Sequence, residues 1–246
     1  MDSDDYIPEN FCEQLIEAQK RFGEDAFLWT GVRIVSENGA VAEQNIQYSD
    51  SECDVLQRRD VLKLSAKALL NAPYNKLYHT NIISNSHLRM DERISIAEDL
   101  LFNLKYLDVA GECKIVILND VNYYYVRNGQ VSLDYGYKKN YYNIHKEVLG
   151  ELWKYCDVWQ VPLEDIPLYY KRYWEYMQSA FSNLELEGCE LSRFQKFCEK
   201  SKITADKHFQ KSLLQQKNNH GRGSYLMWRT RIYLFVYLYE KVRKRA

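Results

Sequence analysis

Proline and glycine are scarce in this chain, with four Pro and ten Gly in 246 residues. That scarcity excludes a collagenous or low-complexity chain and weighs against an all-β fold built on many tight turns. No apolar run approaches the ~20 residues that a membrane-spanning helix needs. The acidic opening, residues 1–10, lacks the basic-then-apolar order of a secretory leader. No Cys-x-x-Cys pair occurs among Cys12, Cys53, Cys113, Cys156, Cys189 and Cys198. A zinc ribbon and a thioredoxin-type motif are thereby unsupported, and reduced thiols in a cytoplasmic protein are the expectation. The histidines, His79, His87, His145, His208 and His220, stand apart without paired ligand spacing. No Gly-x-Ser-x-Gly elbow marks a nucleophile. The sequence thus leads us to expect no catalytic residue, no metal site and no cofactor.

What is present is an ordinary globular composition, 46% hydrophobic and 27% charged, with an unusual distribution of charge. Residues 191–246 hold 14 Lys and Arg against three acidic residues (Glu199, Asp206 and Glu240), a net of +11. The preceding 190 residues carry the balance, −12. Such segregation points to a polyanion-facing end, or to two parts that attract each other within one fold. Tyrosine, at 21 residues, outnumbers Phe and Trp together. It combines apolar area with a polar tip and suits a protein interface or a stacked base.

Residues 8–22 read as a helix with Phe11, Leu15 and Ala18 on one face and Gly23 as its stop. Residues 27–36 and 41–48 read as strands joined by a three-residue loop, which sets Val32 opposite Ile46 and Ser36 opposite Ala42. Helical spacing of Val55, Leu62, Ala66 and Leu69 predicts a long helix over 50–71, and another follows over 91–106. The apolar run 113–118 suits a buried strand. Asn128-Gly129 predicts a type I′ hairpin pairing Val126 with Val131 and Tyr124 with Leu133. From residue 141 onward the pattern is helical: 144–157, a stripe from Ile166 to Phe181, 190–200, 204–216, and a last helix over 225–244. The expected class is α+β, with a small antiparallel sheet and helices in the N-terminal part and a helical C-terminal part. The expected division is an acidic part with two β-hairpins, residues 1–140, and a helical part with a strongly basic end, residues 141–246.

Three constellations carry candidate chemistry. Residues 192–213 resemble a helix-turn-helix, with Ile203 plugging the angle and Thr204 capping a second helix that presents Lys207, His208 and Lys211 to a groove. Two antiparallel helices in any bundle give the same string. Before the last helix, Asn219-His220-Gly221-Arg222-Gly223-Ser224 offers backbone N–H groups to a phosphate, with Arg229 and Arg231 nearby. It lacks the third glycine and the preceding strand of a dinucleotide fingerprint. Third, Glu112-Cys113-Lys114, with Asp108 and Asp99 upstream, looks like the acidic-x-lysine element of PD-(D/E)xK nucleases, though such triplets are common by chance.

The leading expectation is a non-catalytic nucleic-acid-binding or nucleic-acid-complex accessory protein. Lys202, Thr204, Lys207, His208, Lys211, Arg222, Arg229 and Arg231 would be its contacts to DNA or RNA. The alternative is a protein-interaction module, of inhibitor or immunity type, that meets a protein partner through the acidic, Tyr-rich part. A metal-dependent nuclease ranks third.

Overall fold

The computed structural model describes residues 4–36, 42–94, 96–127, 136–216 and 229. Their fold is α+β, as expected, and they form two compact units. The first comprises the described residues of 1–133 and 150–165; the second, those of 134–149 and 166–246. Among the described residues no helix is long and apolar enough to cross a membrane.

In the first unit, Phe11–Phe22 (α1) buries the expected face, and Gly23 ends it at φ +102°. Phe11, Leu15 and Ala18 pack with Leu28, Val116, Leu118 and Val121 of the sheet. The strands are Phe27–Ser36 (β1), Ala42–Ile46 (β2), Cys53–Leu56 (β3), Lys76–Leu77 (β4) and Ile115–Arg127 (β5). The main order is β2-β1-β5-β3, with β4 also paired to β1. Val32 faces Ile46 as expected, but a register shift after Ile34 sets Val35, not Ser36, opposite Ala42.

The sheet is mixed, because β1 and β5 run parallel, rather than antiparallel throughout. Their register breaks after Thr30↔Leu118 and resumes at Gly31↔Asn122, so Asn119, Asp120 and Val121 bulge from β5. Glycine is required at 31: a Cβ there would lie 2.5 Å from Asn122 Oδ1.

One expectation fails here. The long helix over 50–71 is instead β3, a 3-10 turn Arg58–Asp60 and a six-residue helix Val61–Ala66 (α2). Val55 and Ala66, assigned to its apolar stripe, are exposed. The reason is tertiary: Cys53 to Leu56 pair antiparallel with Leu118 to Ile115 and cover an edge of β5 that would otherwise leave backbone groups unpaired. The expected pairing of Tyr124 with Leu133 falls partly outside the described residues, and Tyr124 itself is paired with other partners. β1 lies along one side of β5 as far as Ser36↔Arg127. On the other side, Tyr124 exchanges two backbone hydrogen bonds with Tyr6, and Asp5 accepts from Val126 N–H. Both sides are taken; Asn128, Gly129, Val131 and Leu133 themselves lie outside the described residues.

Thr80–Asn85 (α3) and Glu98–Ala110 (α4) complete the helices of this part. The helix expected from residue 91 starts seven residues later, after Ala97 at φ +60°. Tyr141–Val158 (α5) is divided between the two units. The second unit continues with Ile166–Asn183 (α6), Arg193–Ala205 (α7) and Lys207–Gln215 (α8). Tyr169, Tyr173 and Met177 of α6 are buried with Ile203, Phe209 and Leu213, and Trp174 stacks on Phe209 at 5.4 Å. The aromatic stripe read from the sequence is core. The last helix, expected over 225–244, lies outside the described residues except for Arg229.

Candidate functional site

In the first unit several polar groups gather around Lys76. β4 pairs Lys76 with Trp29 and Leu77 with Leu28, and Thr30 and Asn75 exchange bonds just beyond: Thr30 N–H donates to Asn75 O and Asn75 Nδ2 to Thr30 O. The Lys76 ammonium lies 4.3 Å from the centre of the Trp29 indole. It donates to Leu69 O (2.7 Å), to Asn75 Oδ1 (2.9 Å) and to Ala72 O. Three acceptors require three N–H donors, which only the charged ammonium has. Loss of surrounding water pulls its pKa well below the ordinary lysine value, and Asp99 opposes that pull. Tyr78 donates to Asn103 Oδ1, and its phenol is pushed up strongly, first by burial and then by the charge of Asp99. Asp99, in the first turn of α4, is thus the half-exposed carboxylate that senses both Lys76 and Tyr78.

The residue before Asn75 extends this region. Tyr74 stacks on Tyr123 at 4.5 Å and on Tyr125 at 5.8 Å. Tyr123 Oη donates to Asp5 (2.7 Å), whose other oxygen accepts from Val126 N–H (2.9 Å). Tyr6 stacks on Tyr124 at 4.6 Å, with the Arg33 guanidinium 5.9 Å from the Tyr124 ring. These aromatic groups lie along the later halves of β1 and β5, whereas Lys76 pairs with Trp29 near the start of β1.

A cleft of about 700 Å³ opens beside Phe27 and Cys113, and Leu77 and Tyr78, next to Lys76, also line it. Its groups are engaged in ways that do not converge. Glu112 pairs with Arg58, and a His79 ring nitrogen lies 3.1 Å from Ala26 O. Burial pushes Tyr106 up to about 12 and raises the Cys113 thiol, which favours the inert protonated form. The acidic-x-lysine triplet lies here, with Lys114 exposed and Asp108 accepting from the Trp159 indole at 3.4 Å. Among the described residues no three His, Cys, Asp or Glu side chains gather as metal ligands.

The sequence-based contact residues lie in the second unit. Lys202 pairs with Glu199, and Thr204 is buried with its hydroxyl donating to Lys200 O and Ser201 O at 3.1 Å each. Ile203 is fully buried, as the plug was expected to be. The cap, however, is Asp206 rather than Thr204: one Asp206 oxygen accepts from His208 N–H (2.9 Å) and Phe209 N–H (3.0 Å). α7 therefore continues to Ala205, and α8 begins at Lys207, two residues later than a cap at Thr204 would place it. Lys207 and Lys211 are exposed. His208 is packed beside Tyr169, Tyr170 and Tyr173, and burial lowers its pKa. Arg229 donates to Gln210 Oε1 at 3.1 Å, while Arg222 and Arg231 lie outside the described residues.

Asp206 also accepts from Tyr173 Oη (2.7 Å) and pairs with Lys146 (2.9 Å). Burial alone would raise its pKa, but Lys146, Tyr173 and the Phe209 N–H hold it below the ordinary carboxylate value. Reading Thr204 as the cap missed this hub. The signal was present, since aspartate outranks threonine at a helix start. Lys76 and Asp99 were missed as well, because the turn that joins them has no periodic pattern to announce it.

No protein-family model matches the chain, and no curated protein matches its sequence. Among solved structures it is similar to S. aureus TarS 1–349 in complex with UDP-GlcNAc, with a TM-score of 0.53 and 18% identity over 87% of this chain and 58% of that one. It is similar to TarS 1–349 in complex with UDP, with a TM-score of 0.54 and 16% identity over 100% of this chain and 65% of that one. The chain therefore spans less than two thirds of the TarS chains it matches. Identities this low show a shared fold. That likeness overturns the expectation of a non-catalytic nucleic-acid-binding or accessory protein: the fold is one solved with a sugar nucleotide. The misleading signal was net charge, which speaks of solubility and partners rather than of fold. Part of the basic end is also engaged within the protein, as Lys196 and Lys200 pair with Glu185 and Lys202 with Glu199.

Proposed function

We propose that the chain belongs to a sugar-nucleotide-dependent glycosyl transfer protein and that its first unit carries the base, Asp99. The observation that carries this reading is the fold shared with a protein solved with both UDP-GlcNAc and UDP. Those two ligands differ by one glycosyl group, so they are the donor and the leaving group of a transfer. In such a step the acceptor hydroxyl oxygen bonds to the anomeric carbon and its proton passes to a carboxylate. The bond from that carbon to the β-phosphate oxygen breaks, and its electron pair leaves with UDP. Asp99 suits the proton-accepting role as a half-exposed carboxylate in the first turn of α4. A cytoplasmic location accords with the sugar-nucleotide reading and is part of the proposal.

The test is calorimetric titration with UDP-GlcNAc and UDP, together with UDP release from UDP-GlcNAc. Asp99→Asn should lower release about 100-fold or more, while UDP affinity stays within about twofold. Absence of UDP and UDP-GlcNAc binding up to about 1 mM, the weak end of enzyme substrate ranges, would falsify the reading.

A further inference from the structure

A cavity of about 430 Å³ in the second unit, within the ~300–1,000 Å³ of ordinary ligand pockets, lies between α6 and the segment that leads into α5. On the α6 side it is lined by Gln178, Ser179, Ser182 and Asn183. Their spacing makes one polar strip of the helix, on the side away from buried Tyr173, Met177 and Ala180. Lys138 and Tyr141 form the facing wall. Asn183 fixes that wall, since its Oδ1 accepts from Lys138 N–H and its Nδ2 donates to Lys138 O, both at 2.9 Å. The Tyr141 ring is fixed as well. It packs edge-on against buried His145 at 4.3 Å, and His145 stacks on Tyr176 at 4.4 Å. A ligand would therefore meet walls that are already in place.

Gln178 is the group left unsettled. Its Nε2 is buried without a hydrogen-bond partner among the described residues. Such a donor is costly to leave unpaired, and half a turn of the amide presents it to an oxygen in the cavity. Ser179 Oγ donates to Glu175 O at 3.2 Å, which leaves its lone pairs to accept, and Ser182 is exposed. Lys138 alone is charged among the described lining residues. A phosphate group calls for more cations than that, and a wholly apolar ligand would leave the amide unpaired. Amide and hydroxyl groups beside one fixed aromatic face match a ligand that carries many hydroxyls and an apolar C–H face. We propose that this cavity binds a neutral saccharide, stacked on Tyr141 and hydrogen-bonded by Gln178, Ser179 and Ser182. The choice of a saccharide among neutral polar ligands rests on the glycosyl-transfer reading, in which a hydroxyl-bearing acceptor is needed; the cavity itself does not involve Asp99.

The experiment titrates the full chain with chitotriose, a neutral trisaccharide, and separately with inorganic phosphate, and follows the Gln178 side-chain amide by nitrogen-15 NMR. Chitotriose should shift the Gln178 signals and saturate with a Kd of about 1 mM or tighter, and phosphate should leave them in place. Gln178→Leu keeps the bulk and removes the amide. It should weaken chitotriose binding at least about tenfold and leave urea unfolding unchanged, because the buried N–H has no bond to lose. Ser182→Tyr fills the cavity from an exposed position and should abolish binding, which keeps the test decisive if Gln178→Leu does not fold. Without chitotriose, both variants should release UDP from UDP-GlcNAc within about twofold of the wild-type rate. Unmoved Gln178 signals up to about 10 mM chitotriose, or equal shifts with phosphate, overturn the proposal. So does binding that survives in folded Ser182→Tyr, or a Gln178→Leu variant that loses stability but not affinity. If chitotriose binds here while neither UDP nor UDP-GlcNAc binds the chain, the transfer reading fails and the saccharide site stands.

Discussion

In the first unit the enclosed charged group is a lysine, Lys76, with Asp99 acting on it through its charge; in the second it is a carboxylate, Asp206, bonded to Lys146 and Tyr173. The two clusters divide the work differently. Around Asp206 it is the carboxylate that is buried, with two backbone N–H groups, a phenol and an ammonium on its oxygens, while Lys146 stays exposed. Around Asp99 it is the lysine that is enclosed, by two backbone carbonyls and an amide oxygen, while the carboxylate stays half-exposed. A carboxylate whose lone pairs are all engaged holds a fold together. A half-exposed carboxylate such as Asp99, in the first turn of α4, keeps the access that proton transfer needs.

The sharpest way to break this comparison is to remove each carboxylate and measure stability. Asp206→Ala deletes a helix cap and charged hydrogen bonds, and should cost about 2–4 kcal/mol in urea unfolding. Asp99→Asn should change stability by no more than about 0.5 kcal/mol. Equal losses would erase the distinction between the two clusters.

Acid offers a second separation. His145, buried between Tyr141 and Tyr176, has its pKa lowered from 6.5 to about 4, first by burial and then by Lys138 and Arg172. Between those values the unfolded chain binds the proton that the folded chain excludes. Stability is therefore complete above about pH 6.5 and falls as pH drops toward 4, by about 3 kcal/mol at most. His208, also lowered, acts in the same direction. Amide exchange between pH 7 and 4.5 should show protection lost in α6 and α8 before the first unit, and His145→Phe should flatten that dependence. Loss that begins in the sheet would contradict it.

The smallest effect concerns how helices start. α7 and α8 begin at Ser192 and Asp206, each with a side-chain cap, whereas α4 begins at left-handed Ala97 with none, one residue before Glu98. A left-handed alanine costs about 1–2 kcal/mol, and glycine in its place about 1 kcal/mol of chain entropy. Ala97→Gly should therefore gain up to about 1 kcal/mol in urea unfolding, and a destabilised variant would show that Ala97 is not strained.

Much of the fold was legible in local pattern. Phe11, Leu15 and Ala18 recur at helical spacing and are buried together; Val32 and Ile46 face each other across β1 and β2. Tyr170, Tyr173 and Met177, in the stripe from Ile166 to Phe181, are buried in the second unit as its period required. The candidate site was far less legible. Lys76 has no motif around it, and its acceptors are backbone carbonyls, which no side-chain spacing reports. The charge of residues 191–246 was plain in the sequence, but not that Glu185 and Glu199 engage Lys196, Lys200 and Lys202 of that stretch.

By itself the sequence determined the α+β class, the face of α1, the turn at Gly23 and the aromatic stripe of α6, because each depends on neighbours within a few residues. Only the tertiary structure decided that Cys53–Leu56 is a strand, that β1 and β5 run parallel, and that Lys76 and Asn103 share one turn. Those features depend on groups far apart in the chain. Helical spacing at Val55 and Leu62 is satisfied locally at little gain, whereas an uncovered edge of β5 leaves backbone hydrogen bonds unmade, and the larger penalty chose the strand.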